Sequence, residues 1–300
     1  MAAAIELHGV EKRFRQKTAV DGVDLVVPAG SIYGFIGPNG SGKTTTMRLI
    51  LRILQPDAGQ VVVLGADQGT VADDRIGYLP EERGLYKRMK VLELIDYFAR
   101  LKGRRDGRDE GRRWLARLGG GGSADKRLDT LSKGMAQKVQ FIVAVVARPQ
   151  LVILDEPFSG LDPVNLETLQ DAVAQLRREG ATIVLSTHDM HVAARMCDFI
   201  FMIHDGRKVL DGSLAEIQRQ YPVSCVRLRL AEGATLPALS SVRAAKYDGR
   251  FHLLTLGDGA TPQAVLHEVA ECNVEHFEVV RPTLHDIFVD VVRQSGREVA

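Results

Sequence analysis

Cysteine is scarce in this chain of 300 residues, and charge of neither sign dominates. The three cysteines, Cys197, Cys225 and Cys272, are widely spaced and form no C-x-x-C. That excludes a disulfide scaffold and a cysteine-based zinc site, and it fits a reducing compartment. Lys plus Arg number 39 and Asp plus Glu 38, a net charge of +1. A chain so balanced is not a general polyanion binder, and no nucleic acid is expected as a partner. Long apolar runs are also missing. The best one, Val139 to Ala147, is short and carries Gln140, whereas a membrane-spanning helix needs roughly 20 apolar residues. The N-terminal stretch has no basic start followed by an apolar core, so no secretory signal is expected. The expectation is a chain made and kept in the cytosol, with any membrane spans supplied by another polypeptide. What is there in ordinary amounts is hydrophobic residues (45%) and charged ones (26%), which excludes wholesale disorder. The length suits about two domains.

Strand-like and helical runs alternate over the first 220 or so residues. Ser31 to Ile36, Leu151 to Leu154, Thr182 to Leu185 and Phe199 to Ile203 read as strands, the middle two apolar on both faces. Thr44 to Leu54, Val91 to Leu101, Met135 to Ala147 and Pro163 to Glu179 read as helices. The alternation predicts an α/β fold with a substantially parallel sheet. Lys102 to Arg117 carries seven basic and three acidic residues, +4 locally, and reads as a solvated helical arm. Gly119 to Gly122 reads as a flexible joint. From Tyr221 the pattern changes to alternating strands (Val226, Leu228, Leu230), a hairpin at Asp248-Gly249, a helix from Pro262, a strand over Val274 to Val280 and a last helix from Leu284. This predicts a small, ferredoxin-like α+β domain over residues 221–300.

The chemistry lies in the first part. Gly37-Pro38-Asn39-Gly40-Ser41-Gly42-Lys43-Thr44 fits G-x-x-x-x-G-K-[ST] between a strand and a helix. Glycines let successive N–H groups curl around phosphate oxygens, and the helix start adds partial positive charge. Lys43 is placed to reach the β- and γ-phosphates of a nucleoside triphosphate, and the Thr44 hydroxyl to hold Mg²⁺. The apolar strand 151–154 delivers Asp155 and Glu156 at its carboxyl end, the edge where ligands lie in open α/β sheets. Adjacent residues of a strand point oppositely. Asp155 is therefore expected toward Mg²⁺ and Glu156 toward the attacking water. A second apolar strand ends at His188, in reach of the γ-phosphate.

These pieces together resemble the ATP-binding subunit of an ABC transporter, over about residues 5–220. Gly37 to Thr44 matches the Walker A loop, Leu151 to Glu156 Walker B, Ser159 to Asp162 the D-loop, and His188 the switch histidine. Leu131-Ser132-Lys133-Gly134-Met135 stands where the family has LSGGQ, with Lys133 and Met135 as departures. The resemblance implies a P-loop ATPase domain at 1–220 with a mixed, largely parallel sheet and a helical subdomain at about 83–147. It implies ATP and Mg²⁺ as cofactors and adds three sets of residues. Phe14 stacks on adenine, Thr45 joins the phosphate loop, and Ser132 and Gly134 contact the γ-phosphate bound to a second, identical or related, ATPase subunit. Glu81, where the family has glutamine, is implied near Mg²⁺. The run IGYLPEERGLY and the tail PTLHDIFVDVV are similar to exporters whose ATPase and permease are separate chains, as in drug-resistance and sodium export. That implies a transmembrane permease partner and a place on the inner face of the cell membrane. Three alternatives remain open: a soluble ABC-type ATPase not coupled to transport, a regulatory subunit that does not hydrolyse ATP, and a P-loop kinase or GTPase.

Overall fold

The computed structural model describes residues 2–15, 17–66, 74–82, 84–86, 88–221 and 225–297, the last six as backbone only. Arg83, within the exporter-like run, lies outside the described residues. The chain forms two compact units, Met1–Ser213 and Leu214–Ala300.

In the first unit the glycine loop sits between β3 (Ile32–Ile36) and α1 (Lys43–Ile50), following a hairpin of β1 (Ala3–Phe14) and β2 (Lys17–Pro28). After β4 (Ala58–Val63) and β5 (Ile76–Leu79) come three helices, α2 (Val91–Leu101), α3 (Gly107–Arg117) and α4 (Lys133–Val145). The chain then alternates through β6 (Leu151–Leu154), α5 (Pro163–Arg178), β7 (Thr182–Thr187), α6 (Met190–Met196) and β8 (Phe199–His204), and closes with β9 (Arg207–Gly212). The main sheet has the order β5-β6-β7-β3-β8-β9. All its neighbours are parallel except β8 and β9. This is the expected mixed, largely parallel α/β sheet.

Both faces of that sheet are covered, which explains its unbroken apolar strands. Val152 and Leu154 face a core that includes Leu94, Trp114 and Phe141 of the helices. Leu151 and Ile153 face the opposite core, with Met47 of α1 and Ile5, Leu7 and Val23 of the hairpin. The antiparallel sheet β2-β1-β4 lay outside the sequence-based strands. Its ladder is broken by register shifts and by glycines at positive φ, such as Gly9 and Gly22, so no clean alternation marks it.

Two expectations for the helical region are corrected. The basic run is not one arm: α3 begins only at Gly107, and its Glu110 and Trp114 are buried. Gly119 to Gly122 is not an open joint but a hydrogen-bonded turn, with Gly120 N–H donating to the Leu115 carbonyl at 2.7 Å.

Glu110 is held by Arg113 at 2.5 Å and Arg148 at 2.7 Å. Burial pushes its carboxyl pKa up, but the two guanidiniums more than offset this and leave it below the ordinary value. A lowered folded pKa stabilises fully above the unfolded pKa, about 4.3, and is lost as pH falls through the folded one. Glu110→Gln is expected to cost about 1 kcal/mol near neutral pH, a modest figure because both arginines are largely exposed. Urea midpoints measured across pH should show that gap closing below about pH 4; a gap independent of pH contradicts the ion-pair account.

The second unit holds α7 (Leu214–Arg219), β10 (Cys225–Leu230), β11 (Val242–Tyr247), β12 (His252–Leu256), α8 (Pro262–Glu268), β13 (Val274–Val280) and α9 (Leu284–Arg297). Its antiparallel sheet has the order β11-β12-β10-β13, the strand order of a ferredoxin-like domain. A loop at 231–241 stands where that fold has its first helix. Val226, Leu228 and Leu254 share a small core with Val265 and Val269.

Candidate functional site

The site forms where β3, β6 and β7 end at the same edge of the sheet. Backbone crowding explains the loop's glycines. A Cβ on Gly42 (φ 116) would lie 2.5 Å from the Ala19 carbonyl oxygen, and one on Gly37 would clash with the Ile203 carbonyl. The loop leads into α1, whose first turn carries no acidic residue, so nothing there neutralises the helix's positive end. Lys43 is buried and donates to the Gly37 carbonyl at 2.7 Å and the Pro38 carbonyl at 3.1 Å. Burial lowers its pKa, opposed by the nearby charges of Glu156, Asp155 and Glu81.

A cavity of about 530 Å³ opens here. It is lined by Asn39, Gly40, Gly42, Lys43, Thr44 and Thr45 of the loop and helix start, and by the acids Glu81, Asp155 and Glu156. Lys17 and Ala19 of β2 complete the lining; no motif in the sequence marked those two. An adjoining cavity of about 370 Å³ shares the three acids and adds Lys133, Gln137 and Ser159.

Asp155 is 2% exposed. Its Oδ1 accepts from Ser186 Oγ at 2.6 Å, and its Oδ2 is buried without a partner among the described residues. Glu156 sits outside β6 with φ 48. The two acids therefore do not diverge by strand alternation, as the sequence reading had it; a left-handed turn at Glu156 separates them. Glu156 Oε2 lies 3.0 Å from His188 Nδ1, while Oε1 is buried and unpartnered. Burial raises the Glu156 pKa, and the contacts with His188 and Lys43 partly oppose that. His188 follows directly after β7, with its side chain 60% exposed.

Ser41 Oγ is likewise buried and unpartnered. The unpartnered Asp155 Oδ2 at this cavity, a hard oxygen donor, fits Mg²⁺. Among the described residues no three His, Cys, Asp or Glu side chains form a metal site by themselves.

Phe14, Ser132 and Gly134 are not among the residues lining either cavity. Phe14 ends β1, 45% exposed, with Lys12 Nζ 5.7 Å from its ring centre. Ser132 caps α4, accepting from the Met135 N–H at 3.3 Å, and Gly134 lies on the first turn of that helix. The Lys133 ammonium lies over Gly160 of the D-loop, 2.8 Å from where a Cβ would stand.

The sequence model of the family described as ABC transporter matches residues 20–159. That of the ATP-binding protein DrrA1-3-like C-terminal domain matches residues 212–292. The ABC transporter ATP-binding protein YhaQ of Bacillus subtilis is 38% identical over 94% of this chain and 96% of its own length. The daunorubicin resistance ATP-binding protein DrrA3 of Streptomyces coeruleorubidus is 30% identical over 98% and 97%. Among solved structures, an ATP-binding subunit of an ABC transporter aligns with a TM-score of 0.66 at 30% identity, covering 73% of this chain and 93% of that one.

Proposed function

The chain belongs to the family of ABC transporter ATP-binding proteins, and from that membership we propose that it is the ATP-hydrolysing subunit of an exporter whose membrane-spanning part is a separate chain. The observation that carries the hydrolytic reading is the convergence of Lys43, Asp155 and Glu156 on one cavity, with His188 on the Glu156 carboxylate. A regulatory subunit that binds ATP without hydrolysing it has no use for the Glu156–His188 pair.

The loop N–H groups and Lys43 bind the β- and γ-phosphates, and Thr45 completes the loop's contacts. Thr44, Asp155 and Glu81 would hold Mg²⁺, which would neutralise charge on those phosphates when bound. Glu156 orients the attacking water and accepts its proton; its raised pKa brings it closer to a base matched to neutral pH. His188 holds the Glu156 carboxylate and reaches the γ-phosphate. Phe14 offers a π-face to adenine. Ser132, with the N–H groups at the start of α4 and Gly134, faces the γ-phosphate of a second copy or a related subunit. Each phosphate tail then acquires its full set of donors only when two chains close on it. Closure by ATP and opening after hydrolysis drive the permease through alternating access, to the extent that ATP favours the closed state.

Export is supported by relatives named for daunorubicin resistance and for Nod factor export. Among the described residues no helix is long and apolar enough to cross a membrane. In the proposed complex this chain sits peripherally on the inner face of the membrane, and the permease supplies the spans. The paired site has a kinetic signature. At low protein concentration, phosphate release from ATP should rise with about the square of protein concentration, because two chains complete each site. A strictly linear dependence, down to concentrations at which the chain is monomeric, contradicts the paired site.

A further inference from the structure

Ser186 belongs to none of the motifs above and lines neither cavity. We propose that it is a positioning residue for hydrolysis, its buried hydroxyl fixing both acids of the Asp155–Glu156 pair. The inference rests on the hydrolytic role given above to Glu156.

β6 and β7 run parallel with Leu154 beside Leu185, which brings the next residues, Asp155 and Ser186, side by side. The three residues before it, Ile183, Val184 and Leu185, are apolar and buried, and a branched apolar residue is the ordinary occupant of such a strand. Ser186 is fully buried, at 0% exposure. Its Oγ donates to Asp155 Oδ1 at 2.6 Å and accepts the Glu156 N–H at 2.8 Å. A hydroxyl offers one donor and two acceptor sites, so a single group serves the carboxylate and the amide together. Alanine would leave both without that partner.

The second bond matters because of where Glu156 sits. Its φ of 48 is left-handed backbone, which residues other than glycine keep only when their surroundings hold them. The Ser186 bond is such a hold. That backbone turn points the Glu156 carboxylate to His188, 3.0 Å away. Ser186 thus acts through Glu156 and Asp155, without touching the phosphate loop. Its loss should fall on turnover and leave nucleotide affinity in place.

The test measures ATP hydrolysis and ATP binding for Ser186→Ala, Ser186→Thr and Glu156→Gln side by side. Ser186→Ala should lower kcat by roughly 10- to 100-fold, as a displaced catalytic group does, with KM and the ATP Kd within about twofold. Ser186→Thr keeps the hydroxyl and should restore at least about half of the wild-type kcat. An unchanged kcat in Ser186→Ala overturns the proposal. So does an equal loss in Ser186→Thr at an unchanged unfolding midpoint, or a loss that appears wholly in KM. Should Ser186→Ala not fold, Ser186→Cys, of similar size but with a weak donor, replaces it under the same criteria. If Glu156→Gln loses turnover and Ser186→Ala does not, the Ser186 inference fails and the Glu156 role stands. If neither loses turnover, the Glu156 role itself fails.

Discussion

Glu156→Gln protein should bind ATP as tightly as the wild type and hydrolyse it roughly 10²–10⁴-fold more slowly, the usual worth of a positioned base. The substitution is nearly isosteric, so the left-handed turn at φ 48 and the Ser186 bond to the backbone N–H can stay. What changes is Oε1, buried without a partner. In the carboxylate it is an acceptor available to a water proton; in the amide no basic group remains. Burial has already raised the Glu156 pKa, which makes the carboxylate a better base than an exposed glutamate. With ATP bound and not consumed, the variant should also accumulate as a dimer on a sizing column. Steady-state phosphate release and equilibrium nucleotide binding check the two halves of this expectation. Turnover within a few fold of the wild type would mean that Glu156 is not the base.

Lys43→Ala should raise the ATP Kd at least about thirtyfold and leave no measurable turnover. Removing one partner of a buried, hydrogen-bonded charge contact costs roughly 2–5 kcal/mol, and each 1.4 kcal/mol or so is tenfold in affinity. Lys43 is the buried cation of the cavity, with three acids in the same lining. Without it, the phosphates meet those acids with no buried cation of the lining to answer them. Folding should suffer less than binding, because the Lys43 ammonium now satisfies two loop carbonyls that water reaches once the side chain is gone. An unfolding midpoint close to the wild type, beside lost nucleotide binding, separates the two effects. Normal binding with normal turnover would remove Lys43, and with it the phosphate loop, from the account.

Much of this site was legible in the sequence, because local chemistry dictates it. A glycine loop between strand and helix admits few conformations, and an apolar strand buried on both faces ends where its first charges appear. Lys43, Asp155, Glu156 and His188 could therefore be picked out by position alone, and the structure gathers them at one sheet edge. Ser186 could not. One serine in an apolar strand carries no pattern, and its significance depends on β6 lying beside β7 in a particular register. The turn at Glu156 was hidden for the same reason: simple alternation along the strand was the local expectation, and a bond to a residue thirty positions away overrides it. The sheet of β1, β2 and β4 was missed because its strands mix charge with glycine bulges. Its cohesion comes from burying Ile5, Leu7 and Val23 against the main sheet, a fact of the assembled fold. Likewise the four-glycine run looks free in sequence but is hydrogen-bonded to α3 in space.

The central claim is that this ATPase drives a separate membrane-spanning chain. It is tested most directly by recovering tagged Glu156→Gln protein, with ATP and Mg²⁺, from gently solubilised membranes of its own host and identifying what is bound in stoichiometric amount. The account predicts a polytopic membrane protein, retained while ATP holds the dimer closed. Recovery of soluble proteins alone, or of ribosomes or nucleic acid, would contradict it and leave the chain an ATPase that works away from the membrane.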